Sequence, residues 1–276
     1  MIDKVDLVMW AKDGEKYLPK VLKRIDEIIP SENTSRKIFV DDHSADQTVK
    51  IAKDFNWDVY LNPKGGIPCG ANEALKHVEC DYFVSVEQDV ILAKDWWNRI
   101  PKYMEDKNVA CAQGIRLPTN SLLRKLGEYA NTRRDQLPPV SIDNNVFRTK
   151  VIRHLGGFPT ICPTCADTIL MKKMVYATPF RWVIDRTVIS QHIRENPKYE
   201  IEHGYKLSLL CSGTPYCTWA TTSFWSLLRL LFTSPFRGAI MAVGKKCPDL
   251  VWIYPLERYV SLKAFLYRRR LRAKTV

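Results

Sequence analysis

The sequence predicts an α/β fold around a mainly parallel sheet, followed by a C-terminal amphipathic helical segment. Strand-like and helix-like patterns alternate from the first residues, as connections between parallel strands require. Polar residues collect just beyond successive strand-like runs, where an open parallel sheet places its ligands. The 276 residues, 46% of them apolar, can bury a substantial core.

Val5 to Trp10 reads as the first strand, and Leu18, Val21, Leu22, Ile25, Ile28 and Ile29 then recur at the three-and-four spacing of one helix face, ending at Pro30. Lys37 to Val40 is a second strand. Asp46 to Phe55 suits a helix capped by serine or aspartate, Val59 to Leu61 a short strand, and Gly65-Gly66 a turn. Ala71, Ala74, Leu75 and Val78 form another helical stripe, and the apolar strand Tyr82 to Val86 stops abruptly at Glu87-Gln88-Asp89. Asp95 is expected to cap one helix running through Trp96, Trp97, Ile100 and Met104. Val109 to Gln113 reads as a strand, Leu122 to Thr132 as a helix and Arg133 to Pro139 as a loop. Asn144 to Phe147 is a strand, Val151 to Leu155 a helix before Gly156-Gly157, and another helix follows Asp167.

The sheet domain is expected to occupy residues 1–195, closing near His192. Residues 196–276 turn to Trp, Tyr, Phe, Leu and Arg with Pro215, Pro235, Pro248 and Pro255, which predicts short amphipathic helices. The net charge of +12 is unevenly placed. After Glu257 come Arg258, Lys263, Arg268, Arg269, Arg270, Arg272 and Lys274 without one acid, an end that seeks an anionic surface. Ser223 to Phe232 is apolar but short of the about 20 residues a spanning helix needs, and Arg229 interrupts it. Met1 runs almost directly into a strand pattern, so no cleaved secretory signal is expected. These features predict a cytoplasmic protein, peripheral on the cytoplasmic face of an anionic membrane, although the same aromatics would also serve to pack a C-terminal subdomain.

Eight scattered cysteines do not resemble a secreted disulfide framework. Cys162 and Cys165 have metal-ligand spacing, but Cys211 and Cys217 are wrongly separated for the second half of a zinc site. No nucleic-acid module is recognisable, so the basic charge is not assigned to nucleic acid.

The polar residues at the strand ends are Lys12-Asp13 after the first strand, Asp41-Asp42 after the second, Asn62 and Lys64 after the third, and Glu87 with Asp89 after the fourth. Singly, each has an ordinary reading as a turn, a cap or a solvated acid. Together and in order they resemble a known pattern. Val40-Asp41-Asp42-His43-Ser44-Ala45-Asp46-Gln47-Thr48 is similar to the "VDDGSxDxT" signature of family 2 glycosyltransferases, and Val86 to Leu92 to their DxD stretch. Gly156-Gly157-Phe158 resembles the family's GGF turn, Cys165 to Leu170 stands where it has "GEDxxL", and His192-Ile193-Arg194 where a late histidine is common.

The resemblance implies a GT-A fold over residues 5 to about 194 and transfer of a sugar from a UDP- or GDP-sugar with Mn2+ or Mg2+. It implies Asp89 as metal ligand, with Glu87 and His192 as further contacts; Glu87 stands where the family usually has aspartate. Asp42 would accept an N–H of the nucleobase, and Lys12, Asp13, Lys64, Asn72, Glu87 and Gln88 would also bind the nucleotide-sugar. Asp167 would be the base of an inverting displacement. By residue type alone Asp167 is a helix N-cap, Lys64-Gly65-Gly66 a flexible turn and His192 a satisfied strand-end histidine. Ala166 replaces the family's usual glutamate. Members associated with membranes act on lipid carriers, so the acceptor implied is a lipid-linked carrier or glycan. The competing expectation is a nucleotide-sugar-binding protein without catalysis.

Overall fold

The computed structural model describes residues 2–132, 140–162, 164–196, 202, 205 and 223–274. The loop expected at 133–139, and Cys211, Pro215 and Cys217, lie outside them. One sheet contains β1 (Val5–Ala11), β2 (Thr34–Asp41), β3 (Asp58–Leu61), β4 (Tyr82–Glu87), β5 (Val90–Ile91), β6 (Val109–Pro118), β7 (Asn145–Arg148) and β8 (Arg181–His192), in the order β3-β2-β1-β4-β7-β6-β8-β5. β3, β2, β1 and β4 are mutually parallel, β7 is antiparallel to both neighbours, and β8 is parallel to β6. The sequence reading did not contain β5, and of β8 it had only the end at His192.

The first crossover is α1 (Leu18–Ile28), which buries Leu18, Val21, Leu22 and Ile25, as its stripe predicts. Each such side chain contributes about 1.5–3 kcal/mol of burial. α2 (Thr48–Asp54), α3 (Ile67–His77) and α4 (Trp96–Arg99) follow. β1 is buried at every position, because helices cover both sheet faces, so its sequence is nearly continuously apolar rather than alternating.

The single helix expected from Trp96 to Met104 is instead α4 followed by a 3-10 turn over Pro101–Glu105. Proline at 101 cannot donate the hydrogen bond that an α-helical continuation requires. Asp95 makes no side-chain cap there; it pairs with Arg99 at 3.1 Å. α5 (Ser121–Thr132), α6 (Thr149–His154) and α7 (Ala166–Ala177) match the helical expectations within a few residues.

Contacts divide the chain into two compact units. The first holds Met1–Pro118, Ala130–Thr160 and Ala166–Ile193; the second holds Thr119–Tyr129, Ile161–Cys165 and Arg194–Val276. In the second unit, α8 (Phe224–Gly244) and α9 (Leu250–Lys274) are long helices, where short ones were expected. Pro235 lies inside α8 without ending it. The Leu231 carbonyl, which Pro235 cannot serve, accepts the Ser234 hydroxyl at 2.5 Å instead. α8 is thus 21 residues long, enough by length and composition to cross a bilayer, contrary to the shorter reading of its sequence. Leu122 packs with Met241, Ala242, Cys247, Leu250, Ile253 and Tyr254 as the core of this unit.

Two glycines in the first unit stand where a side chain would have no room. A Cβ on Gly157, whose φ is +78°, would stand 2.3 Å from Asn72 Oδ1. A Cβ on Gly114 would stand 2.6 Å from the Val188 carbonyl, where the β6–β8 register shifts. The Gly114→Ala variant is therefore expected to lose about 1–3 kcal/mol in urea unfolding, by overpacking against backbone that has no room to yield.

Candidate functional site

The carboxyl ends of β4, β6 and β8 meet because of three pairings. Trp10 on β1 lies beside Glu87 at the end of β4. β8 runs beside β6 so that Pro118 pairs with His192. The chain leaving β4 then turns through Glu87-Gln88-Asp89 into β5, whose Val90 pairs with His192, while Ile193 N–H donates to the Asp89 carbonyl at 2.8 Å. Residues more than a hundred positions apart are thus brought side by side.

Here His192 Nε2 stands 3.5 Å from Asp89 Oδ1 and 3.9 Å from Glu87 Oε2. Donor atoms of Glu87, Asp89 and His192 lie within 4.8 Å of one another, the one such cluster among the described residues. Two carboxylates and an imidazole suit a divalent cation: the oxygens favour Mg2+ or Mn2+, and the nitrogen favours the transition metal of the two.

Arg116, on β6, inserts beside this cluster, 2.9 Å from Glu87 Oε2 and in direct hydrogen-bonded contact with the buried Asp143. Burial works against the Arg116 charge, yet the Asp143 and Glu87 carboxylates hold its pKa further above the ordinary guanidinium value. Burial likewise acts to raise Asp143, but Arg116 outweighs it and holds that carboxyl below the usual range. Neither residue was singled out from the sequence. Arg116 was legible by the same rule that picked the others, a charge at the carboxyl end of an apolar strand; Asp143 had no signal until β7 was placed.

Asp167 lies in the first turn of α7 and accepts the Thr168 N–H at 2.6 Å. The protein packed around it pushes its carboxyl up from the ordinary aspartate value, against opposing effects from the Thr168 amide and Arg116, while Asp143 adds to the rise.

Along the strand ends on the other side, the 12–15 and 41–48 loops hold each other. Asp13 Oδ1 accepts Ala45 N–H at 2.8 Å, Asp13 N–H donates to Ser44 Oγ at 3.0 Å, and Asp46 accepts the Thr48 N–H at 2.9 Å just ahead of α2. His43, where the family signature has glycine, takes a left-handed φ of 61° and its ring meets the Asn62 carbonyl at 3.0 Å. Asp42 accepts from Asn62 Nδ2 at 2.8 Å and from Gly66 N–H at 3.1 Å, so its carboxylate is fixed between the second and third strand ends. Lys12 and Lys64 are exposed.

Two residues expected at the ligand have their amides committed to backbone. Gln88 exchanges hydrogen bonds with Lys12 N–H at 2.8 Å and Lys12 carbonyl at 2.9 Å, tying the β1 loop to the metal-type cluster. Asn72 does the same with Phe158, at 2.7 and 2.8 Å, which holds the Gly156-Gly157-Phe158 turn. Cys162 and Cys165, in the second unit, are buried and share Thr164 Oγ1 at 3.4 and 3.7 Å. No disulfide forms among the described cysteines.

The profile of Glycosyl transferase family 2 matches residues 6–175. No curated protein sequence matches the chain. Among solved structures, a mannosyltransferase from Pyrobaculum calidifontis in complex with GDP-Man and Mn2+ superposes with a TM-score of 0.65 at 16% identity, covering 97% of this chain and 86% of that one. S. aureus TarS in complex with UDP-GlcNAc gives 0.53 at 14% identity, over 97% and 92%. Glucosyl-3-phosphoglycerate synthase from Mycobacterium tuberculosis, with Mn2+, UDP-glucose and phosphoglyceric acid, gives 0.56 at 14%, over 75% and 76%. At these identities the likeness establishes the GT-A fold.

A carboxyl with a raised folded-state pKa makes the native state bind more protons than the unfolded one, so Asp167 costs stability as pH rises from the unfolded value through the folded one. The Asp167→Asn variant is expected to melt higher than the parent at neutral pH. Scans at acid pH, below the unfolded aspartate value, should show that advantage disappear.

Proposed function

This chain belongs to glycosyl transferase family 2, and we propose that it moves a sugar from a nucleoside diphosphate donor to an acceptor hydroxyl or phosphate with inversion, using a divalent cation and Asp167 as base. It is a glycosyltransferase; the mechanism, metal and acceptor are our reading. The observation that carries it is the convergence of Glu87, Asp89 and His192 on one point.

Asp89 and His192 would hold the cation. When bound, it neutralises the charge that develops on the leaving diphosphate. Asp42, braced by Asn62 and Gly66, presents a carboxylate to a nucleobase N–H, and both uracil and guanine offer one. Asp13, also spent on the 45 amide, shapes that wall, and exposed Lys12 and Lys64 add positive charge for the phosphates. Asp167, with its raised proton affinity, is suited to take the acceptor proton. A single base on the face opposite the leaving group corresponds to one displacement, hence inversion.

Asp89→Asn is expected to abolish the Mn2+-dependent thermal shift produced by whichever UDP- or GDP-sugar stabilises the parent. Asp167→Asn should keep that shift and lose about 10²–10⁴-fold in transfer rate. Transfer that survives in Asp167→Asn overturns the assigned base.

For the acceptor we infer a lipid-linked carrier or glycan, reached from the cytoplasmic face of an anionic membrane. On α8, Trp225, Phe232, Phe236, Ile240 and Val243 are each more than 70% exposed and recur at helical spacing, with Arg229 on the same line. The opposite face is packed, since a Cβ on Gly238 would meet the Leu250 carbonyl at 2.7 Å. An apolar line on one side of a helix, with the basic residues after Glu257, complements an anionic lipid surface. The full chain should float with vesicles containing phosphatidylserine, and Phe232→Asp with Phe236→Asp should release it. Equal recovery with and without vesicles counts against a membrane partner.

A further inference from the structure

We propose that Asn72 is a positioning residue for the base: through the Gly156-Gly157-Phe158 turn it fixes Asp167 on α7 against α3, the helix that also fixes Asp42. The inference rests on the reading of Asp167 as base, and it takes Asn72 out of the nucleotide-sugar contacts among which its sequence position had placed it.

α3 grips the rest of the unit at separate places along its length. At its head Gly66 is the N-cap residue, and its N–H donates to both oxygens of the Asp42 carboxylate at 3.1 Å. Further along, about 9 Å by helix rise, Asn72 Nδ2 donates to the Phe158 carbonyl at 2.7 Å and Asn72 Oδ1 accepts the Phe158 N–H at 2.8 Å. Opposed hydrogen bonds to one residue fix the orientation of the turn as well as its place. The backbone opposite is shaped to the same end. Gly157 has a φ of +78°, which favours glycine, and a Cβ there would stand 2.3 Å from Asn72 Oδ1, so a side chain at 157 would break the joint. The helix itself is seated closely on the end of β1, since a Cβ on Gly70 would meet Trp10 Cβ at 3.0 Å.

From the turn the constraint reaches α7 by packing. The Phe158 ring centroid lies 5.9 Å from that of Trp10, 6.4 Å from Phe83 and 5.8 Å from Phe147. Phe158 is buried in one apolar cluster with Ala71, Ala74 and Leu75 of α3 and with Leu170 and Met174 of α7. Leu170 follows Asp167 at the spacing that puts both on one side of the helix, so the side carrying the carboxyl is the side packed into the Phe158 cluster. A close-packed core passes a displacement on instead of absorbing it. A base, in turn, works only within hydrogen-bond reach of the proton it takes. Loosening the turn therefore shifts the base, while Asp42 keeps its own hydrogen bonds at the head of α3.

Urea unfolding at neutral pH tests this without substrate. Burial raises the Asp167 pKa, so Asp167→Asn is expected to stabilise the parent. In the Asn72→Ala background that gain should fall by at least about half, because the carboxyl is no longer held where burial penalises its charge. Leu22→Ala, in the apolar cluster that does not contain Phe158, should leave the gain intact, as a variant that only destabilises would. If Asn72→Ala does not fold, Asn72→Ser, too short to reach both Phe158 atoms, should show the same loss. The Mn2+-dependent melting shift with UDP-glucose or GDP-mannose should be the same in Asn72→Ala as in the parent. An undiminished Asp167→Asn gain in the Asn72 variant, or no gain in the parent, overturns the positioning role. So does loss of the melting shift in Asn72→Ala, which would make Asn72 a nucleotide-sugar contact. The base reading fails separately, by transfer that survives in Asp167→Asn whatever the unfolding cycle shows.

Discussion

Carboxylates gathered at the ends of adjacent strands repel one another, and the central arrangement of this protein is the answer to that repulsion. Glu87, Asp89 and Asp143 come from β4, the turn after it and the segment before β7, and the Arg116 guanidinium on β6 stands among them. A lysine would deliver one point charge, but the planar guanidinium offers several donors in fixed directions and keeps its charge when buried. The strands that carry these groups must be adjacent for the arrangement to exist at all.

The loops that follow β1, β2 and β3 are built on a different principle. There the polar side chains mostly satisfy backbone: Ser44 accepts from the Asp13 N–H, Asp13 from the Ala45 N–H and Asp46 from the Thr48 N–H, Gln88 binds the Lys12 peptide and Asn72 binds Phe158. Buried or half-buried N–H groups left unpaired would each cost about 1–3 kcal/mol, so a loop-rich rim needs this many committed side chains to be rigid. Rigidity here has a use, since Asp42 keeps a fixed carboxylate direction only because Asn62 and Gly66 hold it.

The second unit shows how a helix accommodates a residue that would ordinarily end it. Ser234 serves the carbonyl orphaned by Pro235, and α8 continues to Gly244 with one face packed and the other presenting aromatic and aliphatic side chains to the outside. Proline spacing suggested short helices because local rules treat each proline as a stop; a neighbouring hydroxyl removed the reason to stop.

By itself the sequence determined what depends on local periodicity and short motifs: the alternation of strand and helix, the stripe of α1, the end of β4 at Glu87, the DDHSAD turn and the place of Asp167 at the start of a helix. Those follow from spacings of two and of three to four residues and from turn chemistry, which act over a few positions. Only the tertiary structure decided what depends on distant pairing. β5 has two residues and exists because β8 lies beside it; Arg116 and Asp143 become a pair because β6 and β7 are neighbours; Asn72 is drawn to the glycine turn because Phe158 offers both a donor and an acceptor. A charge in a sequence carries no record of its partner, since the energy that selects the partner arises only when burial removes water from both.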